Sequence, residues 1–421
     1  MSNMTLNIVG KSVLRVDALS KVKGEAIYPQ DIYMDGMLYG KTLRSKYPHA
    51  YIKVDTSEAE AIDGVIKVLT YKDVPGHNSH GVLFKDHEVF CEKKVRRVGD
   101  PIAFVIAESE KIADEALGKI KVDYDILEAV FDPIEAMKES SPKVHDNEDS
   151  NILYHYKLKT GDVEEAFSKC DVIVENEYKT SMVDHAFLQP EAGVAYMEED
   201  ETLTVCVATQ YPHFDQLEVA EAMGLPLEKI KIINPAVGGA FGGREDITLQ
   251  IHLALAAYIT KKPVKAIYSR DESFEAHSKR HPYIMKYKTG ATKDGKLLAM
   301  EATIIGDTGA YASWAPNVLR KGGVHATGPY EIPNVKVDSY AVYTNNPFAG
   351  AMRGFGATQP PIAYEQQMDM LAEKLEMDPI EFRLKNIFKE GSKTATGQIL
   401  AESIPLKNCI EEVTKRINTI K

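Results

Sequence analysis

Gly238-Gly239-Ala240-Phe241-Gly242-Gly243-Arg244-Glu245-Asp246 sets four glycines around one aromatic side chain and closes on an arginine and two acids. Glycine lacks a Cβ, so such a run bares backbone N–H groups and lets a ligand approach the main chain closely. A largely apolar helix is expected directly after it, over 246–261. Gly238 and Gly243 fit the spacing of a P-loop, but Arg244-Glu245 replaces its lysine and its hydroxyl, and a carboxylate there repels a triphosphate. The dinucleotide fingerprint GxGxxG fails as well, because Ala240 occupies its second glycine. A glycine-lined turn that only packs a helix on a sheet stays open as an alternative.

Moving outward, Asn345-Asn346-Pro347-Phe348-Ala349-Gly350-Ala351-Met352-Arg353-Gly354-Phe355-Gly356 places an arginine in a second small-residue loop. Its guanidinium is a rigid five-donor fork for a phosphate or another planar acceptor. Phe355 offers a flat face to an aromatic ring. Upstream, Thr209-Gln210-Tyr211-Pro212-His213 puts a polar amide at the end of the apolar strand pattern 203–207, and ligand sites of α/β structures gather at strand ends.

In this order the three segments resemble the molybdopterin-binding large subunit of the xanthine dehydrogenase (molybdenum hydroxylase) family. Lys23-Gly24-Glu25-Ala26, Tyr47-Pro48-His49-Ala50, Arg97-Val98-Gly99-Asp100-Pro101, Gly161-Asp162-Val163 and Gly309-Ala310-Tyr311 extend the likeness over nearly the whole chain. The resemblance implies an α+β fold: an a/b hammerhead-like domain with its linker over 1–150, then the first half of a molybdenum-cofactor-binding α/β domain over 151–421. It also implies roles. Gln210 is expected to hydrogen-bond an oxo ligand of molybdenum. Gly238, Gly239, Ala240, Phe241 and Gly242 form the loop beside metal and pterin, and Arg353 lies near the cofactor. Glu245, Lys321 and Phe355 are expected to bind substrate. Lys321, with Arg320 beside it, stands where purine-oxidising members carry an arginine, so bidentate geometry is not assured. Gly354 stands where carbon monoxide dehydrogenases carry a catalytic cysteine, which argues against that activity. The metal is held by the pterin, so no direct side-chain ligand is expected. A helix-start carboxylate is the plain alternative for Glu245, and a structural ion pair for Arg353. His185, His213, His281 and His325 are assigned no role.

The function so implied is hydroxylation of a nitrogen heteroaromatic of the nicotinate type, with water as the oxygen source. A purine or aldehyde oxidoreductase subunit is the alternative within the family, and a non-catalytic cofactor scaffold the alternative outside it. The resemblance implies molybdenum with molybdopterin cytosine dinucleotide on this subunit, and [2Fe-2S] and FAD on partner subunits. It further implies a second molybdopterin subunit carrying the general base, so no catalytic residue is assigned on this chain. Within the family the chain is most like nicotinate dehydrogenases whose large subunit is divided, and it is expected to be such a half or a fragment.

Composition agrees. The 421 residues carry a net charge of -12, with 44% hydrophobic and 27% charged side chains, an ordinary globular balance. The acidic excess argues against a nucleic-acid partner, and the basic run Lys93–Arg97 reads as a solvated face. Cys91, Cys170, Cys206 and Cys409 lie far apart, which supports neither a metal framework nor disulfides, and they read as buried small hydrophobes. No run reaches the ~20 apolar residues of a membrane span, and a cytoplasmic location is expected. Strand patterns fall at 38–43, 51–54, 65–69, 102–107, 120–124, 172–174, 230–233, 283–287 and 297–304. Helices are expected at 57–62, 110–117, 214–223 and 362–375. A linker is expected over 131–152, and the tail spaces Leu406, Ile410, Val413, Ile417 and Ile420 as a helix.

Overall fold

The strand Pro101–Ala107 is buried at all its positions, so it must be covered on both faces. It pairs antiparallel with Leu38–Arg44 on one side and with Val65–Leu69 on the other. Ala103 and Val105 pack on the helix Glu110–Leu117, while Phe104 and Ile106 enter a larger core. The computed structural model, which describes residues 6–420 with side chains to Ile417, carries that sheet further. Leu38–Arg44 pairs in parallel with Val264–Ile267, Leu38 opposite Val264. Ala192–Met197, Leu203–Val207 and Ile230–Ile233 follow, giving seven strands drawn from both sides of residue 150. The helices Pro212–Met223 and Gln250–Thr260 cover the face that holds the larger core.

A second, five-stranded sheet runs Val172–Lys179, Tyr283–Ala291, Leu297–Gly309, Asn334–Tyr343, Ile152–Thr160. Tyr283–Ala291 and Leu297–Gly309 are joined by the turn at Lys293-Asp294-Gly295, where Gly295 takes φ 82, a conformation that suits glycine. Tyr283, Met285 and Tyr287 point to one face, as the period of two requires. There they meet the helices Ala315–Val324 and Pro361–Lys374. A small third sheet holds Lys94–Val95, Ala50–Asp55 and Lys121–Ile126. The chain is thus α+β.

Several expectations need correction. The helix expected from residue 246 begins at Gln250. Gln250 Oε1 accepts the N–H groups of Thr248 at 2.8 Å and Leu249 at 2.9 Å, a local side-chain turn that competes with helix. The run Lys93–Arg97 is no solvated face. Lys94 and Arg97 are buried, with Lys94 paired to Asp146 at 2.7 Å and Arg97 to Asp100 at 3.3 Å. The segment 131–152 connects the sheets but is packed, with Val144, His145 and Asn151 buried. Cys91 and Cys206 are buried, Cys170 is half-buried, and Cys409 is exposed. The helix Ala315–Val324 escapes sequence reading because it contains Gly322 and Gly323. Both let the helix pack closely, since a Cβ would stand 3.0 Å from the Tyr283 hydroxyl at Gly322 and 2.8 Å from the Tyr156 ring at Gly323.

The tail forms the helix Leu406–Ile420. Leu406 and Ile410 pack on the core beside the five-stranded sheet, whereas Val413 and Ile417 are exposed. The side chain of Ile420 and the first five residues of the lead-in lie outside the described residues. Among the described residues no helix is long and apolar enough to cross a membrane.

Candidate functional site

Gln210 follows the strand Leu203–Val207 of the larger sheet, and its groups are committed to the glycine loop. Its backbone N–H donates to the Arg244 carbonyl at 2.9 Å. Its Oε1 accepts from the N–H of Gly242 at 2.8 Å and of Arg244 at 3.4 Å. Its Nε2 donates to Glu245 Oε1 at 3.2 Å, which leaves the second amide proton for a ligand. Strand end and glycine loop are therefore one hydrogen-bonded unit.

The glycine loop is fastened to the arginine loop in turn. The Arg353 N–H donates to the Phe241 carbonyl at 2.9 Å. Gly242 has φ 106, and a Cβ on it would stand 2.5 Å from the Ala351 carbonyl oxygen, so only glycine allows this approach. Phe241 itself has φ 56 and is 51% exposed. A bulky residue in the left-handed region costs on the order of 1 kcal/mol and persists where neighbours impose it. Arg244 supplies part of that constraint from below. It is buried, stacks 4.2 Å from the Phe187 ring, and donates to the carbonyls of Gly239 at 3.1 Å and Gln189 at 2.7 Å.

Arg353 is exposed, and its guanidinium has no partner among the described residues, so the structural ion pair considered for it does not form. Its carbonyl accepts from Arg280 Nη2 at 2.9 Å, while Arg280 Nη1 donates to Thr358 Oγ1 at 2.7 Å. Arg280 escaped sequence reading because it lies in no motif.

An aromatic wall adjoins these loops. Phe355, at φ 53, meets Trp314 edge-on with centroids 5.7 Å apart, and Tyr211 lies 6.1 Å from Trp314. Lys321 Nζ sits 5.8 Å from the Phe355 ring centre. Trp314 was missed although it is the sole tryptophan of the chain. The buried Trp314 Nε1 has no hydrogen-bond partner. Tyr211 links wall and loop, because its hydroxyl lies close enough to Glu245 for the two to shift each other's ionisation.

Glu245 is half-buried. Burial pushes its carboxyl up to about 7, and the neighbouring Asp246 adds to the rise, against the hydrogen bond from Gln210 and the nearby Tyr211 hydroxyl. Desolvation and a like charge both disfavour the ionised form. Asp246 is buried, also raised, and accepts from the Ser313 hydroxyl at 2.7 Å. Because the helix starts at Gln250, Glu245 is not the helix-start carboxylate of the alternative reading.

Residues 23–128 match the aldehyde oxidase and xanthine dehydrogenase a/b hammerhead domain, and residues 144–387 match the molybdopterin cofactor-binding domain. The chain belongs to the xanthine dehydrogenase family. It is 46% identical over 410 residues to the nicotinate dehydrogenase large molybdopterin subunit of Eubacterium barkeri, covering 97% of this chain and 96% of that one. It is 44% identical to a probable xanthine dehydrogenase component of Bacillus subtilis, over 90% of this chain but 51% of the relative. Among solved structures, the aldehyde oxidoreductase from Desulfovibrio gigas superposes with a TM-score of 0.93 at 33% identity, over 96% of this chain and 46% of that chain. Quinoline 2-oxidoreductase from Pseudomonas putida 86 gives 0.90 at 28% identity, over 97% and 54%. This xanthine dehydrogenase family chain is a molybdopterin-binding subunit of a molybdenum hydroxylase. The residues present suit that cofactor: a free amide proton on Gln210, an unpaired guanidinium on Arg353, and a glycine loop that bares its backbone are donors to an oxygen-rich anion.

Proposed function

We propose that this subunit holds molybdenum with molybdopterin cytosine dinucleotide against Gln210, the loop Gly238-Gly239-Ala240-Phe241-Gly242 and Arg353. The observation that carries this reading is the pair of hydrogen bonds that fastens the adjacent residues Gly242 and Phe241 to Gln210 on one side and Arg353 on the other. When bound, the cofactor supplies oxidation of an electron-poor carbon with water as the oxygen source. Every other task falls to the protein. Gln210 directs its remaining amide proton to the cofactor, and Arg353 neutralises its anionic oxygens.

Glu245, Phe355 and Lys321 form the substrate side of the same site. Phe355 and Trp314 give a planar ring an edge and a face to lie against. Glu245, with its carboxyl raised to about 7, gives a hydrogen bond in its protonated form to a ring nitrogen and anchors it. Lys321 and the adjacent Arg320 supply positive charge for an anionic substituent. The substrate is accordingly a nitrogen heteroaromatic of the nicotinate type, a reading supported by the 46% identity to the Eubacterium barkeri subunit. A second molybdopterin subunit supplies the general base, and iron–sulfur and FAD subunits take the electrons. Residues 1–150 act as the hammerhead domain and 151–421 as the first half of the cofactor domain.

The test is metal and cofactor analysis of the purified complex, joined to a turnover screen over nicotinate, xanthine, hypoxanthine and aldehydes. Molybdenum and a pterin dinucleotide are expected in active preparations, with nicotinate the preferred substrate. Active preparations free of molybdenum would overturn the reading.

A further inference from the structure

Behind the glycine loop, hydrogen-bond acceptors converge, and of the atoms that face one another only Asp184 Oδ1 has a donor, the Ala186 N–H at 2.7 Å. His185 Nε2 donates to the Ala351 carbonyl at 2.7 Å, which leaves Nδ1 as a lone pair. His277 Nδ1 donates to the Ser278 carbonyl at 3.0 Å, which leaves Nε2. A ring nitrogen facing a carbonyl carries the proton, so the other is a base and a metal ligand. His277 Nε2 lies 4.0 Å from Asp184 Oδ1 and 3.8 Å from Glu191 Oε1. The ligand atoms of Asp184, His185 and His277 all fall within 4.8 Å of one another. His185 Nδ1, His277 Nε2 and Glu191 Oε1 are buried without a partner, on residues at most 7% exposed.

The cations nearby do not fill the gap. Lys279 Nζ pairs with the other Asp184 oxygen at 3.0 Å and donates to the His277 carbonyl, so it stands outside the ring of acceptors. Arg244 is committed to the carbonyls of Gly239 and Gln189. Glu191 Oε2 accepts from the Ser273 hydroxyl, which leaves Oε1 alone.

We propose that Asp184, His185, His277 and Glu191 form a structural site for a divalent cation of the zinc type, distinct from the molybdopterin site. Two imidazoles and two carboxylates are a zinc-type donor set, and two carboxylates balance a charge of two. Bonds of about 2.0–2.2 Å to a tetrahedral ion put ligand atoms roughly 3.4 Å apart; Asp184, His185 and His277 lie within 4.8 Å of one another, and Glu191 joins them from the side of His277, 3.8 Å from its Nε2. The carbonyl bonds on both imidazoles and the lysine on Asp184 are the outer partners such ligands keep. The ion has a mechanical purpose. Between Thr180 and Glu191 the chain has no helix or strand beyond an isolated bridge at Val183, and Ala186 takes φ 48. A cation ties this segment to His277 and, through His185 and Ala351, to the arginine loop.

The experiment is zinc analysis of the intact purified complex, as isolated and after chelator dialysis and reloading with zinc. One zinc per chain is expected, and cobalt in its place should give visible d–d absorption. His277→Ala should abolish uptake and Asp184→Asn should weaken it at least tenfold, with circular dichroism unchanged. If His277→Ala does not fold, Asp184→Asn decides. Zinc should raise the thermal midpoint of the wild type alone. A folded wild type that takes up no zinc, or equal uptake by both variants, overturns the site and leaves a pocket of ordered water.

Discussion

Glu245 is the side chain on which the chemistry of the site turns. Its raised value has a direct consequence for pH. Between the ordinary carboxylate value and about 7, the folded chain binds a proton there that the unfolded chain does not. Stability from this group is therefore full at low pH and is lost as pH rises through 7. Glu245→Gln is expected to remove an inflection near pH 7 from the turnover profile and to cut turnover far more than molybdenum content. Loss of molybdenum instead would place Glu245 on the cofactor. Trp314 permits a second measurement. As the sole tryptophan, packed on Phe355 and near Tyr211, it should report ring binding: a heteroaromatic ligand is expected to quench its emission, and Phe355→Ala to weaken that response.

Two loops and a strand end make the site, and their mutual spacing rests on backbone rather than side chains. Gly242 shows this most sharply, because it combines φ 106 with a carbonyl oxygen 2.5 Å from where a Cβ would stand. Gly242→Ala is expected to cost about 1–3 kcal/mol locally and to lower molybdenum content severalfold while far-ultraviolet circular dichroism stays unchanged. The glycine and arginine loops were legible as motifs, since each carries an unusual density of glycine around one functional side chain. Their contact was not, because Arg353 and Phe241 are distant in sequence and joined by one backbone hydrogen bond. Trp314 and Arg280 were invisible for the same reason: their importance lies in what they touch.

The two regions of the chain share one sheet, and that governs how the whole behaves. Leu38–Arg44 would be left an open edge if the chain were cut at residue 150, since its parallel partner Val264–Ile267 lies beyond the cut. Fragments 1–150 and 151–421 made separately are expected to aggregate or to show poor amide protection, as unpaired edges do. Arg97 reinforces the junction: it is 1% exposed, faces the buried Asp100, and donates to the carbonyls of Glu275 at 2.6 Å and Ala276 at 3.2 Å. Arg97→Ala strands a buried carboxylate and should destabilise the chain by about 3–5 kcal/mol, read by chemical denaturation.

Local chemistry was enough to set the family resemblance, the glycine and arginine loops, the buried strand Pro101–Ala107 and the turn at Gly295. Each of these depends on residues adjacent in the chain, where steric freedom and hydrophobic period act directly. The continuous seven-stranded sheet, the burial of Lys94 and Arg97, the late start of the helix at Gln250 and the convergence of His185, Asp184, His277 and Glu191 needed the folded molecule. They arise from pairing and desolvation between distant segments, and no property of a single stretch of sequence encodes which partner it will meet.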